Sequence, residues 1–128
     1  MQSNKSANTK PEIALRRNLW ASGLRGYRLH PKNLPGGPDI VFRKSGVAIF
    51  VHGCWWHGCP NCGRYRVPRT NEKYWRAKLE RNQERDEQVC GALQKLGFLV
   101  LIAWECQVRK TPGHVVVLVS ELLCDGPL

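Results

Sequence analysis

Val47-Ala48-Ile49-Phe50-Val51 is an uninterrupted apolar run, and it passes directly into His52-Gly53-Cys54-Trp55-Trp56-His57-Gly58-Cys59-Pro60-Asn61-Cys62. A run without polar alternation reads as a strand covered on both faces, which calls for a mixed sheet sandwiched by helices. A second run, Phe98 to Trp104, reads the same way and is expected to form another central strand. The chain is therefore expected to be α/β.

Between these runs the pattern is helical. Residues from Asn71 or Thr70 to about Leu96 carry an inward stripe of Trp75, Leu79, Asn82, Asp86, Val89, Leu93 and Leu96, closed by Gly97. Asn82 and Asp86 interrupt that stripe. Inward polar groups are costly unless hydrogen-bonded or engaged in chemistry, so Asp86 is a candidate site residue; an ion pair with Arg81 or Arg85 is the plainer alternative. Thr9-Lys10-Pro11-Glu12 matches a capping box opening a helix over residues 10–22, in which Glu12 shares a side with Leu15 and Leu19. N-capping alone would also account for Glu12. Residues 114–123 read as a final helix, and Pro31 to Pro38 as loop after a short strand from Tyr27 to His30.

Asp39–Arg43 and Gly46–His52 flank Lys44-Ser45, predicting a tight hairpin. If Arg43 faces Gly46, then Asp39 faces Phe50 and His52 stands one diagonal step away on the same face, about 7–8 Å off. Asp39 and His52 would then be within reach of one metal ion or water.

The thiols Cys54, Cys59 and Cys62, at x4 and x2 spacing, point to a zinc clamp, with free thiols or disulfides as the alternatives. Cys106, at the end of the second apolar run, is expected beside them, whereas Cys90 and Cys124 look incidental. The adjacent indoles of Trp55 and Trp56 suggest a flat surface to stack on. Gly63 to Arg69 is a basic loop with Tyr65 between two arginines, suited to phosphates and a base. Twenty Lys and Arg against ten Asp and Glu give a net charge of +10, which favours a polyanionic partner. With 128 residues, one domain over 9–128 behind a flexible arm of residues 1–8 is expected. No apolar stretch reaches the roughly 20 residues of a membrane span, so a soluble intracellular protein with no membrane partner is expected.

Asp39, Val51 to His57, Trp75, Glu84-Arg85-Asp86 and Trp104-Glu105-Cys106, in this order and spacing, resemble the very-short-patch-repair (Vsr) mismatch endonucleases across roughly residues 6–108. The resemblance implies a restriction-endonuclease-like fold with a structural zinc site, in a bacterial, cytoplasmic, nucleoid-associated protein. It implies a monomer that nicks double-stranded DNA 5' of the mismatched thymine in T:G pairs left by 5-methylcytosine deamination. Other mismatch-repair factors are the implied further partners. By the same resemblance Asp39 and the Val51 carbonyl would hold magnesium, and His57 would activate the attacking water with Asp86 orienting it. His52 and Glu12 would support that site, and Trp55, Trp56 and Trp75 would wedge into the duplex.

The chain departs from better-known members in three respects. Val51 stands where they carry threonine, His52 where others carry an acidic residue, and Cys54, Cys59, Cys62 and Cys106 offer four thiolates where one branch uses a histidine. Two other readings keep the composition: a zinc-containing module that binds distorted DNA without cutting, and a general or restriction-type endonuclease. Asp39, His57 and Asp86 separate the first from a nuclease. The three tryptophans weigh against the second, although indoles also serve as core, the role expected of Trp20 and Trp104.

Overall fold

The computed structural model describes residues 9–54, 59 and 69–124. The expected arm at 1–8, the basic loop, and Trp55, Trp56, His57 and Cys62 lie outside the described residues. The elements run α1 (Lys10–Ala21), β1 (Arg28–Leu29), β2 (Ile40–Phe42), β3 (Val47–His52), α2 (Glu72–Lys95), β4 (Leu99–Trp104), α3 (Glu105–Lys110) and α4 (Pro112–Cys124).

The strands form one mixed sheet ordered β1-β2-β3-β4, antiparallel up to β3 and parallel between β3 and β4. Their parallel pairing requires a crossover, which α2 supplies. Side chains alternate across both apolar strands. Val47 and Ile49 join Leu15 and Leu19 of α1, Val108 of α3 and Val115 and Val119 of α4 in one core, while Ala48 and Phe50 join Leu93 of α2 in the other. The continuous apolar run thus has the cause inferred from it: each face of β3 is covered by helix. Fully burying a side chain such as Ile49 contributes about 1.5–3 kcal/mol. The α/β reading with helices around a mixed sheet holds.

Four expectations need correction. β4 is not central: among the described residues it pairs with β3 alone, at the sheet's edge, and its apolar character reflects helices above and below. Asn71 precedes α2 in a left-handed conformation (φ 59°) and makes no side-chain capping bond. Leu96, counted in the inward stripe, is 59% exposed, because the helix ends at Lys95 and Gly97 turns the chain away at φ 94°. Leu79 and Leu93 are buried and Asn82, Asp86 and Val89 partly so, as the rest of the stripe requires. Trp20, expected in the core, is 53% exposed on the outer side of α1 with the Arg25 guanidinium 4.3 Å from its ring centre. Leu19, not Trp20, faces inward.

Candidate active site and thiol cluster

Thr9 caps α1 by accepting a hydrogen bond from Glu12 N at 3.4 Å, and Pro11 lies in the first turn. This fixes the rotation of α1, so Glu12 falls on the buried stripe with Leu15 and Leu19 and is 1% exposed. A carboxylate so placed needs cationic company. Arg16, one turn on, approaches its Oε2 at 3.4 Å, and His30 Nε2 lies 2.7 Å from the same oxygen, off the line of a directed hydrogen bond.

His30 follows β1 with φ 49°, and its amide donates to the Asp39 carbonyl at 3.1 Å. The left-handed residue therefore turns its ring back over the start of β2. There His30 Nδ1 stands 3.7 Å from Asp39 Oδ1. The loop between them is held against α2 at Gly36 (φ 72°), where an added Cβ would run into the Val89 side chain. That contact anchors the approach to Asp39.

The hairpin register is the one inferred from sequence, with Ile40 opposite Ile49 and Phe42 opposite Val47. Yet Asp39 and His52 engage different neighbours. At Asp39 the ladder slips by one residue: its amide donates to Ile49 O at 3.0 Å, where the register would have selected Phe50. A local slip of this kind re-aims a side chain. Asp39 Oδ2 accepts the Val51 amide at 2.8 Å, and the carboxylate is drawn toward Glu12 and His30. Burial first of all pushes the Asp39 pKa from its ordinary 3.8 up to about 6; the Val51 hydrogen bond opposes this, Glu12 reinforces it and His30 opposes it.

His52 ends β3 on the α2 side, buried between Phe50 and Trp104, with ring centres 5.8 and 5.4 Å away. Asp86 of α2 reaches toward it, Oδ2 lying 3.9 Å from Nδ1. Trp75, two turns earlier on α2 than Asn82, is half-buried against Tyr74, with Lys78 Nζ 5.6 Å from its ring centre.

Beyond β3 the thiols of Cys54, Cys59 and Cys106 converge, all buried and all within 4.8 Å of one another. Cys59 Sγ and Cys106 Sγ are 3.7 Å apart. Four thiolates around zinc at about 2.3 Å would have edges of about 3.8 Å, so the spacing fits a tetrahedral site. Cys54 Sγ accepts the Cys106 amide at 3.3 Å, and Cys59 N donates to Cys54 O at 2.9 Å. Cys106 is the second residue of α3, so its amide, in the helix's first turn, lies outside the helix ladder and reaches the sulfur. The described cysteines form no disulfide among themselves, which leaves the thiol and metal readings standing.

The sequence pattern singles out Glu12, Asp39, Asp86, Cys54, Cys59 and Cys106; the structure brings Glu12 to Asp39, the three thiols to one another and Asp86 toward His52, and adds His30, which the sequence shows only as the end of a short strand. The signal available was a histidine between a strand and a proline, too common to single out.

A buried carboxylate pair beside a histidine, and a thiol cluster built on the same mixed sheet, are candidate sites, and comparison with known proteins says whose. The family model described as DNA mismatch endonuclease Vsr matches residues 1–64. The DNA mismatch endonuclease Vsr of Escherichia coli is 38% identical over 109 residues, covering 85% of this chain and 69% of that one. The chain belongs to the Vsr family. Type II nicking enzyme V.XorIIP of Xanthomonas oryzae pv. oryzae is 44% identical over 108 residues, covering 84% of this chain and 78% of its own. Type II nicking enzyme V.NmeDIP of Neisseria meningitidis serogroup C is 46% identical over 110 residues, covering 86% and 74%. As a Vsr-family protein this chain is a DNA endonuclease, and the net charge of +10 is that of a protein whose substrate is a polyanion.

Proposed function

We propose that this Vsr-family endonuclease nicks one strand of duplex DNA, 5' of the mismatched thymine of a T:G pair, in a divalent-metal-dependent hydrolysis that opens a short repair patch. The observation that carries the reading is Asp39: a buried carboxylate with a raised pKa, facing a second buried carboxylate and tied to the Val51 backbone. Two carboxylates in so dry a place repel each other, and a dication offsets that repulsion. Oxygen donors suit magnesium, so Asp39 with the Val51 carbonyl would hold it. Bound there, magnesium supplies Lewis-acid stabilisation of charge developing on the phosphodiester.

The remaining roles belong to the chain's own groups. His57 takes the proton of the attacking water as a neutral imidazole, and Asp86, which faces the end of β3, orients the histidines there. His52 and Glu12 hold the shape of the site. Trp55, Trp56 and Trp75 replace lost base stacking beside the mismatch, where opening the step costs less than at a matched pair. Zinc on Cys54, Cys59, Cys62 and Cys106 pins the start of this loop to α3, in a restriction-endonuclease-like domain over residues 9–128 that acts as a monomer. Among the described residues no helix is long and apolar enough to cross a membrane.

The test is nicking of a labelled duplex carrying one T:G mismatch beside its C:G twin, with and without magnesium, for wild type and Asp39→Ala. A magnesium-dependent nick in the thymine strand of the mismatched duplex alone, lost in the variant, is expected. Equal cutting of both duplexes would replace this reading with a general endonuclease, and mismatch binding without incision would replace it with a binding module.

A further inference from the structure

His30 has none of the roles given above, yet it stands between the two buried carboxylates, with a different ring nitrogen toward each. Nδ1 lies 3.7 Å from Asp39 Oδ1 and Nε2 lies 2.7 Å from Glu12 Oε2. The first separation is too long for a hydrogen bond. It falls within the range open to two donors on one ion: with bonds of about 2.1 Å, ligands at right angles stand about 3.0 Å apart and opposed ligands about 4.2 Å. Asp39 Oδ2 is taken up by the Val51 amide, so Oδ1 is the oxygen turned toward the gap. The second separation is short and lies on the closed side of the ring, against Glu12. A metal-ligating histidine ordinarily carries its proton on the nitrogen away from the metal, facing a carboxylate that fixes its tautomer. The His30 side chain is 28% exposed while its Nε2 is buried, so its exposed surface lies elsewhere on the ring than the nitrogen against Glu12. Donor atoms of Glu12, His30 and Asp39 all lie within 4.8 Å of one another.

We propose that His30 Nδ1 and Asp39 Oδ1 together bind the catalytic divalent cation, that Glu12 orients the imidazole, and that the nitrogen donor makes the site prefer manganese or another first-row transition ion to magnesium. The inference rests on the reading that Asp39 holds the metal. Magnesium favours all-oxygen surroundings, whereas imidazole suits transition ions, whose affinity for mixed nitrogen and oxygen sites is greater. Val51 fits this picture, because the position brings only its backbone to the site.

The experiment uses the full chain with its zinc in place and no DNA. Manganese is titrated in, free ion is followed by electron paramagnetic resonance, and the bound ion is examined by pulsed resonance for coupling to a directly bound nitrogen. Wild type is expected to show one such site with imidazole coupling, displaced by magnesium only in large excess. His30→Gln is expected to lose the coupling and bind manganese at least roughly tenfold more weakly, while Glu12→Gln keeps the coupling and loses roughly 10–100-fold in affinity. Wild-type bound manganese without nitrogen coupling would overturn the proposal, and needs no variant to fold. Coupling that persists in His30→Gln, or equal affinity for the two ions, would overturn it too. Because no DNA is present, failure of mismatch-selective nicking leaves this result standing, and failure here leaves the nicking result standing.

Discussion

Replacing Asp39 with Asn should make the protein more stable while removing its activity. The carboxamide keeps the shape of the side chain and an oxygen for the Val51 amide, which donates to Asp39 Oδ2 at 2.8 Å, but removes the buried charge facing Glu12. Asp39 titrates near 3.8 in an unfolded chain and is raised to about 6 in the fold. A raised folded value means that the stability favouring the protonated form is fully present below the unfolded value and is lost as pH rises through the folded one. Wild type and variant should therefore converge near pH 3.8 and separate progressively up to about pH 6. The gap between those values, at about 1.4 kcal/mol per pH unit, is roughly 3 kcal/mol. Loss of the attraction between His30 and the carboxylate trims it, and about 1.5–3 kcal/mol in favour of Asn is expected at neutral pH. The assay is urea unfolding by tryptophan fluorescence at a series of pH values without added magnesium, read as a shift of midpoint at constant slope. Losses at low pH that arise from groups other than Asp39 are common to both proteins and cancel in the difference. Added magnesium or manganese should close the gap by stabilising wild type alone, through mass action on the folded state. A difference that is independent of pH, or a variant less stable than wild type at neutral pH, would refute the claim that Asp39 is held charged against its surroundings.

Other substitutions probe other parts of the structure. Gly36→Ala should cost well over the 1–3 kcal/mol of a left-handed conformation alone, because its Cβ meets Val89 as well; Val89→Ala should recover part of that loss in a double-mutant cycle, and additivity would refute the contact. Cys106→Ser should lower zinc content by elemental analysis and destabilise the chain by several kcal/mol, whereas Cys124→Ser, at an exposed thiol, should change neither. Ile49→Ala, emptying the centre of β3, should cost about 2–5 kcal/mol in urea unfolding and leave zinc binding intact. Asp86→Asn should slow nicking with little change in unfolding midpoint, since Asp86 is only partly buried; a large stability loss with unchanged nicking would make it a packing residue.

Much of this arrangement was legible in the chain because it is local. Continuous apolar runs announced β3 and β4, since a strand covered on both faces has no polar side to show. The spacing of Glu12, Leu15 and Leu19 put the carboxylate on the buried stripe of α1, because 3.6 residues per turn leaves no other choice once Thr9 sets the start. A hairpin turn centred on Lys44 and Ser45 set the register, and the end of each apolar strand delivered its cysteine to the same edge. Tertiary structure decided what periodicity does not encode. The one-residue slip at Asp39 turned its carboxylate to Glu12 and His30, leaving His52 to Asp86. His30 joined them because a left-handed residue and a loop packed on Val89 fold it back over β2, a juxtaposition of segments distant in sequence. The edge position of β4 and the exposure of Trp20 and Leu96 were likewise settled by where neighbouring elements end. Sequence fixes which face a residue takes within its own element; which elements meet at that face is a matter of packing, and the cluster of Glu12, His30 and Asp39 lies where three of them meet.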